Sequence, residues 1–118
     1  FIVSDRFKDL FERLDPDCAQ FFPVTARYRG KLIKGTRYFI VNWLRRFACI
    51  DFAKSDYETD VVDGVRDYTF IKVVIDARKV PSDARVFLPD EFPCPIADDV
   101  FRRAVRKERI TGAQFYVP

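Results

Sequence analysis

Apolar residues recur at helical spacing near both ends of the chain. Phe7, Leu10, Phe11 and Leu14 fall at i, i+3, i+4 and i+7, one stripe of a helix. Ser4 stands where an N-cap accepts from free backbone N–H groups, Asp5 puts negative charge in the first turn, and Pro16 closes the segment. Towards the other end, Phe101, Ala104 and Val105 make a similar stripe, with Asp98 as the cap and Asp99 after it. Arg106, Lys107 and Arg109 lie in the last turns, where cations suit the helix dipole. Gly112 is placed to be the left-handed residue just past the helix end.

The two segments align without a gap. Ile2–Lys8 lies over Ile96–Arg102, and Ala19–Phe22 over Ala113–Tyr116. Each copy reads as a short apolar strand, a capped helix and a second strand, so residues 2–22 and 96–116 form an internal strand-helix-strand repeat. Two copies are too few for a solenoid and predict equivalent pieces packed into one domain.

The middle of the chain reads mostly as β-structure. Gln20 to Tyr28 begins as an aromatic strand, and Arg29-Gly30 and Lys34-Gly35 read as turns around Lys31–Ile33. Arg37 to Leu44 is a strand candidate, rich in residues that favour a pleated surface, with a helix over 38–48 as the competing reading. Asp51 to Asp67 is acidic and rich in turn residues, which predicts a loop with one helical turn at most. Tyr68 to Ala77 is the strongest strand, centred on Val73, Val74 and Ile75. Pro81 to Pro95 holds four of the seven prolines and reads as an extended connector with a short strand at Arg85–Leu88. The fold class predicted is α+β: two amphipathic helices packed on a mainly antiparallel or mixed sheet.

Length and composition narrow the picture. The 118 residues, 48% of them hydrophobic, suit a single domain over 1–118 with a real core. The chain begins at Phe1 and has no methionine, which points to a segment of a longer product. No apolar run approaches ~20 residues, and Asp5, Arg6 and Lys8 interrupt any signal-peptide pattern. Cys18, Cys49 and Cys94 are odd in number and far apart, which predicts three reduced, buried thiols in a cytoplasmic protein.

Much catalytic chemistry is excluded. The chain has no histidine, which removes Ser-His-Asp and Cys-His nucleophile systems and most zinc sites. Asp51, Asp56, Glu58, Asp60 and Asp63 match no calcium loop and read as a solvated acidic loop. Gly30, Gly35, Gly64 and Gly112 are scattered and build no phosphate cradle. No catalytic residue, metal or cofactor is assigned, and an enzyme using carboxylates with an arginine clamp would need a pocket that the sequence does not indicate.

Charge is distributed unevenly. Cys18 to Ile50 holds seven basic residues and no acidic one, whereas Asp51 to Asp67 holds six acids against Lys54 and Arg66. Arg27, Arg29, Lys31, Lys34 and Arg37 are interleaved with Tyr28 and Tyr38, a pattern that suits a nucleic-acid backbone or an edge hairpin protected by charge. A sequence pI of 8.8 falls below the roughly 9 and above of strongly basic nucleic-acid binders. Arg102, Arg103, Arg106 and Lys107 form a second basic surface, either a solvated helix face or a docking face for an acidic partner. Trp43, the sole tryptophan, is a core residue or an interface anchor.

Three stretches carry a family likeness. The first is Tyr38-Phe39-Ile40-Val41-Asn42-Trp43-Leu44, leading to Cys49-Ile50-Asp51-Phe52-Ala53-Lys54-Ser55. The second is Ile71-Lys72-Val73-Val74-Ile75-Asp76 running into Val80-Pro81, and the third is Ile96–Phe101 with the closing Thr111-Gly112-Ala113-Gln114-Phe115. In these the chain resembles the myxobacterial-type immunity domain of bacterial polymorphic toxin systems. The resemblance implies a non-enzymatic cytoplasmic protein that binds a cognate toxin domain and blocks its active site or an exosite. It also marks Asp51 and Ser55 as motif residues without an assigned role. The surfaces expected to meet that partner are Arg102, Arg103, Arg106 and Lys107, with Arg27, Arg29 and Lys31. Because nuclease inhibitors that mimic nucleic acid are usually acidic, the net basic balance implies that the target is either not blocked by mimicry or is met by the acidic 51–67 belt alone. The alternative function is nucleic-acid binding through region 27–37.

Overall fold

The computed structural model describes residues 1–117. In chain order the strands and helices are β1 (Ile2–Ser4), α1 (Asp5–Leu14), β2 (Ala19–Val24), β3 (Arg27–Tyr28), β4 (Lys31–Leu32), β5 (Tyr38–Trp43), β6 (Arg46–Phe47), β7 (Asp56–Val62), β8 (Val65–Lys72), β9 (Val86–Pro89), β10 (Ile96–Ala97) and α2 (Asp99–Lys107). A single 3-10 turn at Ala77–Lys79 precedes β9. The fold is α+β.

Both helices start where their caps dictate. The Ser4 and Asp98 side chains accept from the N–H groups of Phe7 and Phe101, satisfying donors that have no partner inside a helix. Leu10, Phe11, Phe101 and Val105 are buried, and the Phe11 and Phe101 rings lie 4.9 Å apart where the helices meet. Removing a side chain of that size from water is worth about 1.5–3 kcal/mol, so these residues anchor the core. Trp43 packs edge-on against Phe11 at 5.8 Å and is a core residue. Glu108, just past α2, takes the Arg13 guanidinium on its carboxylate and the Arg6 guanidinium on its carbonyl, which fastens α1 to the end of α2.

Two three-stranded sheets face these helices. One has the order β1-β5-β2 and is antiparallel throughout. Pro23 is tolerated there because β2 is an edge strand, where a missing N–H costs no ladder bond. The other has the order β10-β9-β6, with β9 antiparallel to β10 and parallel to β6. The 38–48 segment is therefore strand rather than helix. A main core gathers β1, α1, β5, β9 and α2, and a smaller one forms around Cys49, Ala84 and Phe87.

The internal repeat is only partly realised. β1-α1 and β10-α2 are equivalent, each strand pairing antiparallel with a partner from elsewhere in the chain. The expected closing strand at Ala113–Tyr116 does not form, whereas its counterpart β2 does. In the first copy β5 offers a second edge to β2, but in the second copy β6 already occupies that edge of β9. Ala113 and Phe115 pack against the core without a ladder.

The helix-end expectation is also corrected. Ile110 N–H donates to the Val105 carbonyl and Arg109 N–H to the Arg106 carbonyl, with Arg109 at φ 54°. This is a Schellman closure, in which the left-handed position belongs to Arg109 and not to Gly112.

The largest correction concerns Asp51–Asp67, for which a loop is expected. Seven of its residues form β7, which pairs antiparallel with β8 in a long hairpin. β8 in turn ends at Lys72, short of Val73–Ile75. Val73 is buried, and Ile75 forms only an isolated bridge to Ile50. The hairpin turns through Asp63 at φ 51° and Gly64 at φ 77°, the conformation an Asp-Gly pair favours in a two-residue loop. The short β3–β4 hairpin turns the same way through Arg29 and Gly30.

Candidate functional site

Inside the body, ionisable groups serve as fasteners. Asp15 caps the end of α1 and is buried, 2% exposed. One carboxylate oxygen accepts from the N–H groups of Arg85 (2.9 Å) and Val86 (3.3 Å), and the other lies 3.1 Å from Arg45 Nε. The Arg45 guanidinium also grips both oxygens of Asp83, at 3.2 and 3.0 Å. The Arg45 hydrogen bond holds the Asp83 carboxyl below its ordinary range, and Asp83 in return raises Arg45. Asp15 thus ties the end of α1 to the β5–β6 link and to the start of β9.

Cys18 lies in the same region. Burial, reinforced by the charge of Asp15, pushes its thiol up to about 12, so it stays protonated at neutral pH and is a poor nucleophile. Cys49 is buried and also raised, mainly by burial. Cys94 departs from the expectation of three buried thiols, since it is exposed in the proline-rich connector. Among the described residues, no three His, Cys, Asp or Glu side chains converge as a metal-ligating group.

Asp51 and Ser55 form a clamp. Asp51 N–H donates to the Val74 carbonyl at 2.8 Å, and Ser55 N–H and Oγ–H both donate to the Asp51 carbonyl, at 2.9 and 2.7 Å. Ser55 Oγ accepts from Val74 N–H at 2.9 Å, and the Asp51 carboxylate accepts from Lys54 N–H at 3.2 Å. The chain entering β7 is thereby stitched to the chain leaving β8, at the base of the long hairpin.

The expected partner-binding cations separate into two groups. Arg102 and Arg103 both pair with Asp99 on their own helix, and the Arg102 hydrogen bond holds that carboxyl below its usual range. Arg106 and Lys107 are exposed, and neither forms an ion pair among the described residues. Arg27, Arg29 and Lys31 lie on the exposed β3–β4 hairpin. Arg27 donates weakly to the Gly30 carbonyl, and Arg29 sits over the Tyr28 ring at 5.3 Å. The helix face and the hairpin belong to elements far apart in the chain, α2 and β3–β4.

The long β7–β8 hairpin, which the acidic composition of its first strand hides, presents two unlike faces. Residues alternate sides along a strand, so Tyr57, Tyr68 and Phe70 share one face, and they pack with Phe52. Phe92 meets Phe70 edge-on at 5.7 Å and joins this layer to the body. The other face carries Glu58, Asp60, Asp67 and the Val62–Val65 pair, all exposed. Asp60 stands directly across from Asp67, a like-charge pairing that works against the hairpin. Among the described residues, no cation pairs with Glu58, Asp60, Asp63 or Asp67. The Asp63-Gly64 dipeptide between alternating stretches is the sequence signal for this element.

Two hollows open elsewhere, lined by residues outside β7 and β8. One, of about 850 Å³, is lined mainly by apolar groups, among them Ile2, Phe7, Trp43, Ile96 and Phe101. A smaller one, of about 410 Å³, lies between the end of α2 and residues 113–116, beside Arg106. Among the described residues, no helix is long and apolar enough to cross a membrane.

The fold is α+β, with Asp15 and Arg45 paired inside it and Arg106, Lys107, Asp60 and Asp67 exposed and without an ion pair among the described residues. The chain belongs to the immunity protein family (Imm11), whose model matches residues 1–117. No curated protein and no solved structure matches it at a significant level.

Proposed function

We propose that this chain is a single, non-enzymatic domain that acts in the bacterial cytoplasm by binding a cognate toxin domain and neutralising it. The observation that carries the reading is family membership over residues 1–117. The body supports it, because Asp15, Arg45 and Asp83 are committed to one another and Cys18 is held protonated. Arg106 and Lys107, without an ion pair among the described residues, and Arg27, Arg29 and Lys31 on the β3–β4 hairpin are exposed basic groups within reach of a partner, and which face of the chain carries the docking is a separate question. The test is co-expression with the toxin domain encoded beside the gene. Growth should be restored, the two proteins should co-purify, and inhibition should saturate at one chain per toxin. Absence of protection overturns the reading, and inactivation of many toxin molecules per chain overturns the non-enzymatic part.

A second reading, nucleic-acid binding on the β3–β4 hairpin, is favoured by exposed Tyr28 with Arg29 over its ring. It predicts retention on a phosphate column that falls steeply with salt. Free elution at low salt removes it.

A further inference from the structure

We infer that the acidic face of the β7–β8 hairpin is the docking surface, and that its occupant is a lysine- and arginine-rich face of the toxin domain. The inference rests on the immunity reading and names the surface and the partner chemistry that this reading leaves open.

The hairpin is held as a presented arm. At its base, Ser55 Oγ bridges the Asp51 carbonyl and the Val74 N–H, locking the incoming chain to the outgoing one. Behind it, Phe52, Tyr57, Tyr68 and Phe70 form an aromatic layer joined to Phe92. These contacts use one face and leave the other open. On that open face Val62, Val65 and Ile71 are 52%, 69% and 69% exposed. Glu58 and the cross-strand pair Asp60–Asp67 lie among them.

Each of these features is unfavourable to the free protein. Facing carboxylates repel, and exposed β-branched side chains order water. A basic partner removes both costs at once, by setting cations against the acids and apolar groups against the valines. Charge complementarity of this kind also speeds encounter. The basic surfaces are arranged differently. Arg102 and Arg103 share the single Asp99 carboxylate, and the β3–β4 register pairs Arg27 with Leu32 and Tyr28 with Lys31, so no like charges face each other across that hairpin. Glu58 and Asp60 are two residues apart on one strand, about 6.6–6.8 Å, which sets the spacing of the cations they would meet.

The experiment measures binding of the intact chain to a catalytically inactivated form of the toxin domain encoded beside its gene, as a function of salt. The first variant, Asp60→Lys with Asp67→Lys, keeps a like-charge pair across the strands and reverses its sign. The second, Asp60→Asn with Asp67→Asn, removes the repulsion and should leave the free chain at least as stable as wild type. Binding should weaken at least tenfold in the first and severalfold in the second, with a shallower salt dependence, while thermal melts show a folded chain. Binding within twofold of wild type in both variants overturns the inference and leaves the immunity reading standing. So does loss of binding only on charge reversal of Arg106 and Lys107 or of Arg29 and Lys31. Failure of the wild-type chain to bind this toxin domain overturns the immunity reading and the inference with it. A wild-type dimer that Asp60→Lys/Asp67→Lys dissolves also overturns it, assigning the arm to self-association.

Discussion

The body and the β7–β8 arm use the same side chain in opposite ways. In the body, Asp15 is buried, and every contact of its carboxylate joins segments distant in sequence: the end of α1, Arg45, and the backbone of Arg85 and Val86. In the arm, Asp60 and Asp67 face each other in the open, and among the described residues each accepts only from the N–H of the next residue, Val61 and Tyr68. Charge is structural where it is enclosed and paired. Where it is exposed and set against its like, it opposes folding and is available to a partner. The β3–β4 hairpin sharpens the point, since it makes the same kind of turn through Arg29 and Gly30 but disperses its cations.

The largest effect should come from the enclosed charge. Asp15→Ala leaves Arg45 without its buried partner and two N–H groups without an acceptor, at a cost of about 3–5 kcal/mol. Urea denaturation should show the whole domain destabilised. A change confined to the arm would show that Asp15 is not the fastener described. Phe70→Ala is the corresponding test of the arm. Phe70 is half-buried, so the loss should be smaller, about 1–3 kcal/mol, and local. Hydrogen exchange should quicken in β7 and β8 while α1 and α2 keep their protection.

The dependence on pH separates the regions next. Asp83 and Asp99 titrate below the ordinary 3.8 because of Arg45 and Arg102, so their stabilisation is present above that value and lost as pH falls through their folded values. Cys18 runs the other way. Its thiol is raised from 9.0 to about 12 by burial, so its contribution is full below 9.0 and lost as pH rises towards 12. Thermal melts should therefore weaken on both sides of a neutral plateau, and Cys18→Ala should flatten the alkaline side without moving the acid one.

The smallest effects should carry the opposite sign. Asp60→Asn removes the cross-strand repulsion and should stabilise the free chain by about 0.2–1 kcal/mol. Arg109→Gly relieves a left-handed backbone position and should add roughly 0.5–1 kcal/mol, read as a higher melting temperature. If Asp60→Asn lowered stability, the arm's acids would be holding the fold and the contrast with Asp15 would fail.

Local signals make the helices legible in the amino-acid order. Ser4 and Asp98 cap as their positions require, the stripes at Phe7–Leu14 and Phe101–Val105 face inward, and the turn forms at Arg29-Gly30 where that dipeptide places it. The arm is also written locally, in Asp63-Gly64, but its acids make the stretch resemble a loop. Strand propensity reflects packing on a surface, and here Phe52 and Phe92 supply that surface from outside the strands. Of the candidate basic residues, Arg106 and Lys107 are exposed and unpaired among the described residues. Arg102 and Arg103 are spent on Asp99, one turn away, a pairing that a count of charges conceals.

Caps, stripes and turns depend on neighbours within a few residues, so the amino-acid order alone determined them, and with them the α+β class. The arrangement in space decided what no short window contains. It made β6 rather than residues 113–116 the partner of β9, enclosed Asp15 between Arg45 and Arg85, and gave Asp51 and Ser55 their place at the base of the arm. A polar side chain becomes a fastener or a contact only when distant segments meet around it or leave it bare, and that depends on the closure of the whole chain.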